Sequence, residues 1–156
     1  MSLKEITWQL TTFDQLTTKE LYQILQLRIE VFVVEQTCYY QDLDGKDHHD
    51  QTQHLMGYLN NELVAYARLL APGVSYDGLA SIGRVIVAPR GRGMKLGGQL
   101  MEQAIAGCEK YWPDHNIKLS AQQHLQVFYQ RQQFKTVSEM YLEDDIPHVA
   151  MVREII

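Results

Sequence analysis

Three cations and several glycines crowd one turn of the chain, Ala88-Pro89-Arg90-Gly91-Arg92-Gly93-Met94-Lys95-Leu96-Gly97. Glycine lets a backbone approach a ligand closely, and Arg and Lys supply charge for an anion. The flanking segments sharpen that chemistry. Upstream, Leu79 to Val87 is almost continuously apolar and ends in Val85-Ile86-Val87, a β-branched strand that Pro89 stops. Downstream, Leu96, Leu100, Met101, Ala104, Ile105 and Cys108 recur at helical spacing. A strand, a basic Gly-rich turn and a helix N-terminus together suit an anion, because free N–H groups point outward and the helix dipole favours negative charge. No Gly-Lys-Ser/Thr closes the turn, so it is not a P-loop. It also lacks the Gly-x-G-x-x-Gly pattern and the later acidic residue of a dinucleotide turn. Read alone, an ordinary solvated basic turn fits it equally well.

The rest of the chain must position that turn. Its 156 residues are expected to form one domain over residues 1–156, and 46% apolar with 21% charged residues permits a sizeable core. A net charge of −5 argues against nucleic acid or an anionic membrane as partner and leans toward a cationic substrate. No apolar run approaches the roughly 18 residues of a membrane span. Met1-Ser2-Leu3-Lys4-Glu5 has no signal-peptide core, and Cys38 and Cys108 are too few for a disulfide framework. A cytoplasmic protein with two reduced thiols is the expectation.

In chain order, Ile6, Trp8 and Leu10 alternate as a strand, and a helix begins near Thr17 or Thr18 and runs through Phe32. A polar loop follows from Thr37 to Gln53. Its carboxylates Asp42, Asp44, Asp47 and Asp50, with Glu35 before them, suit either a cationic acceptor or a solvated acidic surface. A calcium loop fails there, because Gln53 stands where the bidentate Glu belongs and Lys46 where an oxygen ligand belongs. The His48-His49-Asp50-His54 spacing matches no structural zinc site, so no metal is expected. Strands follow over 54–59 and 63–70 around an Asn60-Asn61 hairpin turn, then the central strand and its helix, which ends at Tyr111-Trp112-Pro113-Asp114. Residues 117–121 read as a strand parallel to the central one. Residues 124–132 read as a short helix with Leu125, Phe128 and Tyr129 on one side. A strand over 134–140, a polar loop at Glu143-Asp144-Asp145 and a last strand over 148–152 complete the chain.

The register Val87, Arg92, Gly97, Leu100 resembles the central motif of the GNAT superfamily, the Gcn5-related N-acetyltransferases. In that motif an R/Q-x-x-G-x-G/A loop joins a strand to a helix; Lys95 stands here at the first glycine of the loop. The stretch Gln122 to Phe134 resembles the second GNAT signature, a Tyr a few residues before Gly-Phe, with Gln133 in place of the Gly and Gln122 where many members carry Asn. Arg28-x-x-Val31-Phe32-Val33-Val34-Glu35-Gln36, Asp42-x-Asp44-Gly45-x-Asp47, Gly83-Arg84-Val85-Ile86-Val87 and Ile146-Pro147-His148 are similar to the ElaA-like branch, with Asp145 where that branch usually has Gly.

The resemblance implies an α/β (α+β) GNAT fold. Its mixed, mostly antiparallel sheet splays around the cofactor, with helices on both faces. It implies an N-acetyltransferase that moves the acetyl group of acetyl-CoA to a primary amine, with no metal. Backbone N–H groups of Arg92, Gly93, Met94, Lys95, Leu96 and Gly97 would hold the pyrophosphate. Val85 and Val87 would pair with the pantetheine arm, the Val87 N–H would polarise the thioester carbonyl, and Gln122 would contact the cofactor. Tyr129 would protonate the departing thiolate, as a phenol can at neutral pH. Glu35, His54, His124 and His148 are candidates for the acceptor side or the base. A small-molecule or peptide amine is the expected partner, and a homodimer one expected assembly. The competing classes are a non-catalytic CoA-binding sensor or interaction module, and a plain phosphate- or nucleotide-binding α/β domain.

Overall fold

The structure is a computed structural model that describes residues 6–155. Met1–Glu5, the stretch that lacks a signal-peptide core by sequence, and Ile156 lie outside the described residues. Eight strands form one sheet: β1 (Thr7–Thr12), β2 (Gln53–Leu59), β3 (Glu62–Leu70), β4 (Ala80–Val87), β5 (Ile117–Gln122), β6 (Lys135–Thr136), β7 (Tyr141–Glu143) and β8 (Ile146–Arg153). The order is β1-β2-β3-β4-β5-β8-β6, with β7 also pairing β8. Every pairing is antiparallel except β4 with β5. Helix α1 (Thr18–Arg28) covers one face; α2 (Leu96–Tyr111) and the short α3 (Gln126–Gln130) cover the other.

Each helix lies where its apolar stripe needs cover. Leu100, Met101, Ala104, Ile105 and Cys108 of α2 pack on Ala67, Leu69, Ala80, Ile82, Leu119 and Met151 of the sheet. Ile24, Leu27 and Val31 pack on Met56, Val64, Tyr66 and Ile86 of the opposite face. Gly107 brings α2 close, since a Cβ there would lie 2.7 Å from Leu69 Cδ2. Helix α1 starts with a capping box: Thr17 accepts from the Glu20 N–H at 3.0 Å, and the Thr17 N–H donates to the Glu20 carboxylate at 2.8 Å.

The strand–helix plan expected from sequence is present, with local differences. The first helix does not continue as α-helix to Phe32. It widens into a π-helical turn over Ile29–Glu35, where the Gln36 N–H donates to the Val31 carbonyl. The strand expected over 134–140 shrinks to Lys135–Thr136, and Glu143 belongs to β7 rather than to a loop. Asp144 (φ 51) and Asp145 (φ 61) form the two-residue turn into β8, and both occupy the left-handed region that such hairpins use. Asn60 and Asn61, at φ 52 and 66, do the same between β2 and β3, as expected.

Candidate active site

The site begins with a failure of pairing. β4 and β5 pair only at Ala80–Ile117 and Ser81–Lys118, and beyond those residues the strands diverge. A bulge on β4 accompanies the divergence. Gly83 lies opposite Arg68 and Ile86 opposite Tyr66, so Arg84 and Val85 together face Ala67. Arg84 adopts φ 51, a conformation that costs a non-glycine residue roughly 1–2 kcal/mol. Past the bulge, the Ala88 N–H bonds the Val64 carbonyl on the β3 side. Alternation along an extended strand therefore turns the N–H and C=O of Val87 to the other edge, where β5 has moved away.

The gap opens into a cleft of about 690 Å³. Val85, Arg92, Gln122 and Tyr129 line it, as do Glu35, His124 and His148. The Tyr129 ring is buried among Phe128 and Phe134, and burial pushes its hydroxyl up to about 12, so it stays a proton donor across the neutral range. Ser120 and Gln122 alternate with Leu119 and Ala121 of the α2-side core, so they face the opposite, α1 side of the sheet.

At the basic turn, the N-cap of α2 is Lys95, which makes no side-chain cap hydrogen bond, unlike Thr17 of α1. The first-turn N–H groups of α2 are thus left for a ligand. Lys95 sits at φ 58 and Gln133 at φ 70. Together with Asp145, each position where the resemblance implies a glycine and this chain has another residue occupies the left-handed region, where a residue without Cβ is least strained. Gly93, Met94 and Lys95 are exposed, and Leu96 is buried. Arg92 donates Nε to the Val87 carbonyl at 3.1 Å and binds Glu35 in fork geometry at 2.6 and 2.7 Å. The hydrogen bond from Arg92, followed by its charge, holds the Glu35 carboxyl below its ordinary range despite some desolvation.

Two sequence expectations are corrected here. His54 does not reach the cleft. It is fully buried, its Nε2–H donates to the Asp47 carbonyl at 2.9 Å, and its Nδ1 accepts from the Tyr66 hydroxyl at 2.7 Å. Burial lowers its pKa, so it is a neutral core residue rather than a base. Of the acidic loop, Asp50 is solvated, but Asp42, Asp44 and Asp47 are neither a solvated surface nor a free attractor for a cation. Asp42, Asp44 and Asp47 are tied to Arg28, Arg68 and Arg84 of the chain itself. Arg28 is 0% exposed and spans Asp42 at 2.9 Å and Asp47 at 2.6 Å, while Arg68 grips Asp44 at 2.8 and 2.9 Å. Arg84 lies over the Tyr40 ring at 5.2 Å, and the Tyr40 hydroxyl donates to Asp42 at 2.6 Å. The sequence places Arg28 and Arg84 within the motifs that carry the resemblance but does not reveal that they and Arg68 share one set of carboxylates. Two arginines inside otherwise apolar strands were the available signal, since such residues are rarely buried unless paired.

No group of three or more His, Cys, Asp or Glu side chains able to hold a metal occurs among the described residues, and no described helix is long and apolar enough to cross a membrane. Cys38 and Cys108 are both free and buried.

A family profile described as "Acetyltransferase (GNAT) domain" matches residues 14–155. Over 151 residues the chain is 48% identical to Protein ElaA of Escherichia coli (strain K12), spanning 97% of this chain and 98% of the relative. The crystal structure of Escherichia coli ElaA superposes with a TM-score of 0.91 at 47% identity, over 96% of this chain and 100% of the other. The crystal structure of an acyl-CoA N-acyltransferase from Pseudomonas aeruginosa does so with a TM-score of 0.92 at 50% identity, again over 96% and 100%. With this sheet, this divergence of β4 from β5 and these similarities, the chain belongs to the GNAT acetyltransferase family, in its ElaA-like branch.

Proposed function

We propose that this protein transfers the acetyl group of acetyl-CoA to a primary amine of a small molecule or peptide, by direct attack and without a covalent enzyme intermediate, in the cytoplasm. The observation that carries this reading is the opening between β4 and β5, with an unshared Val87 N–H on one strand and the buried Tyr129 phenol beside the gap. The residues present fit a CoA thioester: the uncapped α2 N-terminus and Arg92 suit its pyrophosphate, and the β5-facing edge of Val85 and the Val87 N–H suit its amide-bearing arm. When bound, acetyl-CoA supplies an activated acyl group. The Val87 N–H donates to the carbonyl oxygen as negative charge develops there, the oxyanion-hole principle. The amine nitrogen forms the new C–N bond, the C–S bond breaks, and Tyr129 gives its proton to the leaving sulfur. The proton that the nitrogen sheds as the amide forms restores the phenol through water. Gln122, which donates to Gln36 across the cleft at 3.4 Å, borders the path of the arm.

Thermal unfolding with and without acetyl-CoA tests the cofactor. Ligand at 100 times its dissociation constant adds about 2.7 kcal/mol, a rise of roughly 5–11 °C for a domain this size. The expected result is such a rise with acetyl-CoA and none with ATP or acetate, followed by thiol release with members of an amine panel. Equal shifts with ATP would reduce the turn to a general phosphate site. A shift without turnover on any amine would leave a CoA-binding module. Propionyl- and longer acyl-CoA in the same assay fix the acyl group.

A further inference from the structure

We infer that the closed end of the cleft is an acceptor subsite, in which Lys46, Lys118, Ser75 and Ser81 receive an anionic group carried about 10 Å from the amine that is acetylated. This rests on the acyl-transfer reading above. The cleft is closed where β4 and β5 still pair, at Ser81–Lys118. Ala80 and Ile82 belong to the α2-side core, as do Ile117 and Leu119. Ser81 and Lys118 alternate with them, so both face the α1 side, where Ser120 also lies. The β3–β4 loop covers this end. The Gly73 and Leu79 N–H groups fix it by donating to the Tyr76 carbonyl at 2.9 and 3.3 Å. Lys46 reaches in from the 37–52 loop and donates to Ser75 Oγ at 3.0 Å. Lys118 Nζ lies 4.4 Å from the centre of the Tyr76 ring, so the two lysines flank neighbouring residues of one loop.

Unspent polar capacity marks this end as a site. An ammonium has three donors. Lys46 is half-buried and spends one of them on a neutral hydroxyl; Lys118 is half-buried and rests on a neutral ring. Neither pairs with a carboxylate of the described residues, whereas Arg28, Arg68, Arg84 and Arg92 all do. Ser81 is 7% exposed and lines the cleft, and no hydrogen bond joins its hydroxyl to another described residue. Two cations and hydroxyl donors at the end of a cleft attract an anion, because low-dielectric walls focus their field. The nearby carboxylates are placed to orient the acceptor rather than to fill the subsite. Asp44 is gripped by Arg68 at 2.8 and 2.9 Å. Glu143 is half-exposed and accepts from Ser120 at 3.3 Å, two residues along β5 from Lys118 in the direction of the gap. Charge along the cleft thus runs from cations at the closed end to a carboxylate nearer the gap. An acceptor with its anion at the closed end and its ammonium toward Glu143 complements that order. Four residues separate Ser81 from Val85, and four separate Lys118 from Gln122, about 13 Å of strand at about 3.3 Å each. The lysine side chains shorten the span to about 10 Å, the length of an extended tripeptide.

The test uses the full chain with acetyl-CoA at low salt and compares triglycine with its C-terminal amide. The acid should be preferred about 5- to 10-fold in kcat/KM, through KM, and the preference should fade as salt rises. Lys46→Gln and Lys118→Gln should each at least halve the preference, and together bring it near one. Lys46→Arg, which keeps the charge, should retain it. A purely structural role for either lysine would lower acid and amide alike and leave their ratio unmoved. An aminoalkyl phosphate of the same span, favoured over triglycine and equally sensitive to the two substitutions, would identify the anion as phosphate rather than carboxylate. A wild-type preference near one for both anions, or a preference that survives both Gln substitutions, overturns the subsite while leaving acyl transfer intact. Absence of turnover by the wild type on every amine, neutral or anionic, overturns both.

Discussion

Tyr129 and Arg92 show how one cleft assigns opposite duties to two side chains. Burial holds the Tyr129 phenol in its protonated form at neutral pH, the form from which the proposed mechanism starts. Tyr129→Phe should lower kcat by about 10²-fold while the acetyl-CoA melting shift is retained; unchanged turnover would remove Tyr129 as the acid. Arg92 is half-exposed and already occupied, since Glu35 holds its guanidinium in the same fork a phosphate would use. On the proposed reading, a pyrophosphate at Arg92 has to displace Glu35. Glu35→Gln should tighten CoA binding about two- to fivefold at low salt, with the difference fading as salt rises, in isothermal titration. Tighter binding that persists in high salt would point to something other than this competition.

At the scale of elements, the site is made by irregularities rather than by regular structure. The bulge at Arg84–Val85 and the divergence of β5 leave the Val87 N–H without a strand partner. The π-helical turn over Ile29–Glu35 moves the end of the first helix onto the cleft, where Phe32, Glu35 and Gln36 meet it. Three turns, at Lys95, Gln133 and Asp145, carry non-glycine residues at positive φ. Relief of that strain should be visible away from the chemistry: Gln133→Gly should stabilise the protein by about 1 kcal/mol, a rise of roughly 2–4 °C in Tm, with kcat unaltered. A fall in Tm would show that the Gln133 side chain contributes more than its backbone costs.

Across the whole molecule, the buried lattice of Arg28, Arg68 and Arg84 with Asp42, Asp44 and Asp47 binds the 37–52 loop to the sheet and holds the strained Arg84 bulge from outside. Arg28→Met removes the fully buried cation that Asp42 and Asp47 share, leaving them only Arg84 and Arg68, and should cost about 3–5 kcal/mol by denaturant unfolding, with loss of ligand binding following loss of the loop. The same lattice sets the response to acid. Burial opposes ionisation of Asp47, but its hydrogen bond and charge contact with Arg28, joined by Arg68, win and hold it below the ordinary carboxylate range; Asp44 is held low by Arg68 and the Lys46 N–H against the same desolvation. Such groups stabilise above an unfolded pKa of about 3.9, and that stability is lost as pH falls through their folded values. Burial lowers His54, so its contribution is complete above about 6.5 and drains away as pH falls below that. Tm should be flat above about pH 7, decline gently below about 6.5 and steeply below about 4. A Tm that rises between pH 7 and 5 would contradict the neutral, buried His54.

The sequence alone determined what local pattern can encode. The β-branched run to Val87, the basic Gly-containing turn, the apolar stripe from Leu96 to Cys108 and the Asn60-Asn61 turn each act within a few residues, and the structure has each in place. The spacing of Arg92, Gly97, Leu100 and Tyr129 carried the family for the same reason, since a strand–turn–helix must present its glycines and its apolar face in register. Tertiary structure decided whatever depends on residues far apart in the chain. It buried His54, tied the acidic loop to arginines from α1, β3 and β4, and brought Glu143 against His148. The charge of a side chain is written in the sequence, but its neutralisation is a matter of distance, and those distances are set only when the sheet and its loops close.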